Sequence, residues 1–158
     1  TMKRQLDDYY SKFYNDMFKR FAKLSEQNAN LAKQYADWKD QISRSWNSIE
    51  LIDLQIPDVE NSNIELNDIF TAKISLFLGE ISAEHIGVEM IIADKENNQI
   101  NDYTLIAPFE LISASNKRAD YEIKIKTSRA GVHNFAFRIY PKHPLMQHRM
   151  ELPLVKWI

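Results

Sequence analysis

The spacing of apolar residues along the chain changes near Asn47, from a helical period to a period of two. In the first stretch, residues 2–25, Tyr10, Phe13, Tyr14, Met17, Phe18, Phe21 and Leu24 recur at the intervals of one helix face. Lys12, Asp16, Lys19, Arg20 and Lys23 fill most of the opposite face. The pattern loses phase at Gln27-Asn28-Ala29-Asn30, where Asn28 or Asn30 suits the N-cap of a second helix. That helix carries Leu31, Tyr35, Trp38, Ile42 and Trp46 in steps of three and four. The two stretches predict an αα-hairpin.

From Ile49 onward the alternation predicts seven strands, at residues 49–56, 67–77, 86–93, 103–112, 121–127, 132–140 and 152–157. It is clearest in Thr71-Ala72-Lys73-Ile74-Ser75-Leu76-Phe77 and in Tyr121-Glu122-Ile123-Lys124-Ile125-Lys126. Breaks fall at residues 57–63, 79–84, 94–102 and 113–120 and at Ala130-Gly131. Pro108, inside the fourth run, marks an edge strand or a bulge, since it has no N–H to give to a ladder. The expectation is an α+β chain: an N-terminal helical hairpin (1–47) packed on a seven-stranded antiparallel immunoglobulin- or fibronectin-like β-sandwich (48–158). The short step from Trp46 to Ile49 predicts helices packed against the sandwich.

Composition narrows the picture by exclusion. With 44% hydrophobic and 27% charged residues the 158-residue chain suits one globular domain and an appendage. The absence of cysteine removes disulfides and thiolate metal sites, which fits the cytoplasm. No apolar run approaches the ~20 residues of a membrane span, and no signal peptide opens the chain, so no membrane role is expected. Thr1-Met2-Lys3-Arg4 reads as a start in mid-helix. Three glycines leave turns such as Glu96-Asn97-Asn98 and Ser115-Asn116-Lys117 to asparagine.

The net charge of −2 hides a segregation. Residues 1–48 carry nine Lys/Arg against six Asp/Glu, residues 49–110 two against thirteen, and residues 111–158 nine against three. A basic last third raises a phosphate partner, but Lys124 and Lys126 alternate with Ile123 and Ile125 as solvent-facing strand positions do. No nucleic-acid motif accompanies them.

Catalytic patterns are missing. His143 and His148 stand five apart without a metal-ligand motif, and His85 and His133 are isolated. Gly79, Gly87 and Gly131 form no phosphate loop, and no nucleophile elbow is present. Arg138, in the alternating segment after Gly131, suits a structural ion pair or a contact to an acidic loop or sugar.

Both ends of the chain carry a family resemblance. Met2-Lys3, Asp8-Tyr9-Tyr10 and Phe13-Tyr14 resemble the closing helix of the long bacterial type of α-glucan (glycogen or maltodextrin) phosphorylase, where an Arg-Met pair leads a Tyr-containing helix. Thr1 departs from that pattern by standing in the place of the Arg. Ala36-Asp37-Trp38-Lys39 and Ser45-Trp46 are similar to that family's Trp-Lys and Trp pair after the catalytic core. Gly131-Val132-His133 to Arg138, Tyr140-Pro141-Lys142-His143-Pro144-Leu145, His148-Arg149 and Leu154-Val155-Lys156-Trp157-Ile158 resemble its C-terminal strand pair.

The resemblance implies a glycosyltransferase parent that moves a glucosyl unit between an α-1,4-glucan end and orthophosphate, with pyridoxal phosphate on a lysine. The segment bearing that lysine has no counterpart here, so no catalytic, cofactor or metal residue carries over. The implied role is a non-catalytic accessory domain in glycogen metabolism. Its contact to the catalytic domain of the same polypeptide, or to a second copy, would run through Tyr10, Tyr14, Phe18 and Phe21. The alternative is a carbohydrate-binding module that stacks α-1,4-glucan on Trp157, Tyr103, Tyr121 and Tyr140.

Overall fold

The computed structural model describes residues 2–56, 69–96, 99–126 and 134–158. Two compact units divide the chain, Thr1–Gln41 and Ile42–Ile158.

In the first unit, α1 (Met2–Tyr9), a π-helical turn (Tyr10–Tyr14) and most of α2 (Asn15–Ser45) follow one another directly. The π turn bonds five residues back, from the Asn15 N–H to the Tyr10 carbonyl. It therefore brings together side chains five apart: the Tyr9 and Tyr14 ring centroids lie 5.8 Å from each other. Tyr10 stacks on Tyr14 at 6.5 Å. Asn28 and Ala29 have φ of 59° and 58°. A right-handed helix cannot keep its direction through two left-handed residues, so α2 turns where the sequence loses phase. The turn expected between the two stretches thus falls inside the run Asn15–Ser45, and Asn28 supplies a left-handed backbone instead of an N-cap.

The two apolar stripes have opposite fates. Tyr35 and Trp38 are buried, their rings stacked at 5.5 Å, with the Lys39 ammonium 4.6 Å over Tyr35. On the N-terminal stripe Tyr10, Tyr14, Met17, Phe18 and Phe21 are each at least 60% exposed.

The second unit opens in the last turn of α2. Ile42, Trp46 and Ile49, around a 3-10 turn (Trp46–Ser48), are buried in it. Eight antiparallel strands follow among the described residues: β1 (Glu50–Gln55), β2 (Ile69–Phe77), β3 (Ile86–Glu96), β4 (Gln99–Pro108), β5 (Glu110–Ser115), β6 (Arg118–Lys126), β7 (Asn134–Pro141) and β8 (Lys156–Trp157). They form two four-stranded sheets, ordered β1-β2-β6-β5 and β4-β3-β7-β8. Ala72, Ile74 and Leu76 of β2 with Ala119, Tyr121 and Ile123 of β6 make the buried face of one sheet. Ile86, Val88 and Met90 of β3 with Phe137 and Ile139 of β7 make that of the other. Phe70 and Phe135 meet edge to face across the sheets at 5.8 Å.

The predicted count of seven is corrected to eight, and the reason lies at Pro108. Residues 103–112 read as one run, but β4 ends on Pro108 and β5 begins at Glu110 in the other sheet. Between them Phe109 donates its N–H to the Val88 carbonyl at 2.8 Å and buries its ring edge-on against Phe137 at 5.7 Å. Proline ends the first ladder and phenylalanine pins the crossing. The expected break at 94–102 is largely strand, with Asp94 opposite Asp102 and Glu96 opposite Gln99. The β5–β6 hairpin turns on Asn116 and Lys117, both left-handed at φ 50° and 66°, as a two-residue hairpin loop requires. The last strand shrinks from the predicted 152–157 to two residues. The breaks expected at 57–63 and at Ala130-Gly131 lie outside the described residues.

Candidate functional site

Three surfaces present candidate chemistry: the exposed helix stripe and the outward face of each sheet. On the β4-β3-β7-β8 sheet, Glu89 and Arg138 sit directly opposite each other, as do Gly87 and Tyr140. Glu89 is 2% exposed on a side of the sheet that strand alternation turns away from Val88 and Met90. Two guanidiniums compensate that burial. Arg138 donates from Nε to Oε1, and Arg149 clamps both carboxylate oxygens at 2.6 Å each. Burial alone would raise the Glu89 carboxyl, but the hydrogen bonds and charges of Arg149 and Arg138 outweigh it and hold it below its ordinary value. Arg149 also lies 3.9 Å over the Tyr140 ring. Gly87 leaves the space for that ring, since a Cβ there would collide with it. This cluster fixes the segment after β7 to the sheet and leaves its one carboxylate occupied.

The sequence-predicted glucan contacts are dispersed by this arrangement. Trp157, opposite Arg138, is 56% exposed with the guanidinium 5.7 Å from its ring centroid. Tyr140 shares that face but is half-buried beneath Arg149, and burial raises its hydroxyl pKa. Tyr121 belongs to the core, 3% exposed, its hydroxyl donating to the Ala83 carbonyl at 3.4 Å and its pKa driven up by burial. It offers no ring to a sugar, because its strand position faces the other sheet. Tyr103 stands opposite Ala93 in the β3–β4 ladder, and its side chain lies outside the described set. Trp157 is thus the exposed ring among the described candidates.

Of the histidines, His85 and His143 approach to 5.7 Å between centroids. Burial first, then the neighbouring His85, lowers the pKa of His143. His143 and His148 each accept a backbone N–H through Nδ1, from Leu145 and Met150. Among the described residues no group of three or more His, Asp or Glu side chains is arranged to hold a metal. None of the described helices is long and apolar enough to cross a membrane.

Sequence reasoning missed the outward face of the β1-β2-β6-β5 sheet. Asp53, Ser75, Asp120 and Ser113 align across its four strands in register. Asp120 accepts from Ser75 at 2.6 Å, Ser113 at 2.8 Å and Arg118 at 2.9 Å, which together hold its pKa down. Beside that row Lys73 and Lys124 flank Glu122 at 3.4 and 2.8 Å. A groove of about 300 Å³ runs over the row and over Lys73 and Glu122. The polar members of the alternation were the available signal, but alternation cannot show which residues of separate strands meet.

Comparison with known proteins decides the family. Residues 46–158 match the glycogen phosphorylase C-terminal domain. The chain belongs to that family. The match begins at Trp46, the first residue of the 3-10 turn, and embraces all eight strands of this glycogen phosphorylase C-terminal domain. Most of the helical arm lies ahead of it. A maltodextrin phosphorylase of Thermococcus litoralis is 23% identical over 162 residues, covering 98% of this chain, arm included. The chain spans 18% of that relative's length. The resemblance read from the terminal motifs and the family found by comparison agree.

Proposed function

We propose that this chain is a non-catalytic accessory domain of a cytoplasmic, pyridoxal-phosphate-dependent α-glucan phosphorylase, and that its arm braces the catalytic domain of the same polypeptide. The exposed aromatic stripe carries the proposal: Tyr10, Tyr14, Phe18 and Phe21 stand 60–70% open to solvent on one helix. An aromatic side chain buries about 150–250 Å² when covered, so four approach the roughly 800 Å² that each partner gives to a stable interface. The family description, a C-terminal domain, supports a neighbour in the same polypeptide. The β unit reads as an immunoglobulin-like sandwich. Its order β1-β2-β6-β5 parallels strands A-B-E-D, and β4-β3-β7-β8 parallels C-F-G with one added edge strand.

The test uses Phe18→Ser with Phe21→Ser. Supplied as a separate chain, the rest of the phosphorylase should co-elute with the wild-type domain and not with the double variant, while the unfolding midpoint of the β unit stays unchanged. Without that partner the wild type should self-associate as concentration rises. A strict monomer at high concentration that also fails to capture the rest of the enzyme removes the bracing role. The second reading, α-glucan binding, keeps one observation in its favour, the exposed Trp157 beside Arg138.

A further inference from the structure

The register of the β1-β2-β6-β5 sheet produces a feature that the aromatic reading of glucan binding does not use. Its outward face carries two parallel rows of polar side chains, Asp53-Ser75-Asp120-Ser113 and Gln55-Lys73-Glu122-Glu110, each crossing four strands. Three interstrand spacings give a row about 14 Å long. Both edge strands are bulged beside it, β1 between Leu51 and Asp53 and β5 between Leu111 and Ser113. Bulges bend the strands that hold them, and here they flank the groove of about 300 Å³.

We propose that this groove binds a neutral oligosaccharide. The ligand class follows from three properties of the lining. Its charges nearly cancel, with Lys73 and Arg118 against Asp53, Asp120 and Glu122, which suits neither a phosphate nor a cation. Its donors and acceptors alternate at close spacing and are held in place by one another. Ser75 and Ser113 give their hydroxyl protons to Asp120, and Arg118 reaches Asp120 and Ser75 at 2.9 Å each. Gln55 donates to Asp53 at 2.8 Å. That leaves the Gln55 carbonyl oxygen, the Lys73 N–H groups not turned to Glu122 and the rest of the Arg118 fork to meet sugar hydroxyls. The rim also offers an apolar contact, Ile112, 59% exposed at the β5 bulge, for the C–H face of a pyranose. Prearranged polar groups spare the ligand the cost of ordering them.

The inference rests on the second reading above for the ligand class and on this geometry for the site. The deciding experiment titrates the isotope-labelled chain with maltoheptaose and, separately, with cellohexaose, following backbone amides by two-dimensional NMR. Saturable shifts are expected at Gln55, Ser75 and Asp120. Gln55→Ala and Lys73→Ala, at positions open to solvent, should each weaken binding about fivefold, the worth of one hydrogen bond. High salt should change the affinity little, because the ligand is neutral. A response to maltoheptaose alone upholds an α-glucan site, and an equal response to both sugars upholds a general pyranose site. Shifts confined to Trp157 and Tyr140 overturn the groove and leave the aromatic reading standing. Unchanged spectra with both sugars at millimolar concentration overturn both, without bearing on the arm.

Discussion

Glu89 shows how far one residue's surroundings depart from its place in a pattern. In the sequence it is one acid among thirteen between residues 49 and 110, while in the structure it is a buried carboxylate under two guanidiniums. Glu89→Gln keeps the shape, removes the charge and leaves Arg138 and Arg149 facing each other. Breaking a fully buried pair costs about 3–5 kcal/mol, and the half-exposure of Arg149 reduces the expected loss to about 2–3 kcal/mol. The same group sets an acid limit. Its folded pKa lies below its unfolded one, so its contribution is complete above the ordinary carboxylate value of about 4.3 and fades as pH falls through the depressed folded value. Urea midpoints measured across that acidic range should drop for the wild type, and less steeply for Glu89→Gln. An unchanged midpoint at neutral pH would show the clamp to be dispensable. Arg138 was legible as an ion-pair former. Its partner was not, because the pairing of β3 with β7 joins residues 49 apart.

At the scale of elements, periodicity located both helical stripes and most strands, and it failed where one cause overrode another. Residues 103–112 stay mostly apolar on both sides of Pro108, so a change of sheet inside the run left no trace in its hydrophobicity. The turn at Ser115-Asn116-Lys117 was visible because its chemistry is local, though the break expected over 113–120 is strand on both sides of Asn116-Lys117. The π turn at Tyr10–Tyr14 has no comparable signature in the sequence. The bend of α2 was visible as lost phase, though its form, left-handed Asn28 and Ala29, was not. Alanine in that conformation carries a penalty of about 1–2 kcal/mol that glycine largely escapes. Ala29→Gly should therefore stabilise the bend by about 0.5–1 kcal/mol net of chain entropy, read as a higher melting temperature of the helical signal in far-UV circular dichroism. A fall of the size found for glycine in an ordinary helix interior would mean that Ala29 does not hold a left-handed backbone in solution.

Over the whole molecule, the segregation of charge finds its counterpart in ion pairs between the acidic middle and the basic last third. The acidic middle supplies Glu80 and Glu89, and the basic last third supplies Lys117, Arg138 and Arg149 to meet them. The basic last third that raised a phosphate partner is thus partly committed within the domain. The family was legible from short motifs at both ends, whereas the polar groove was not, being assembled from three segments of chain. The crossing at Phe109 has one further consequence. Its N–H bonds to Val88 in one sheet while the chain on either side belongs to different sheets, and its ring is wedged against Phe137. Both anchors lie in the β4-β3-β7-β8 sheet, so the amide is released when the end of the edge strand β4 leaves β3, and the buried ring opposes that fraying. In deuterated solvent the Phe109 amide should exchange more slowly than those of Leu105 and Leu111. Exchange as fast as theirs would show that the ring does not hold the crossing, making that single proton a clock for the opening of the sheet's edge.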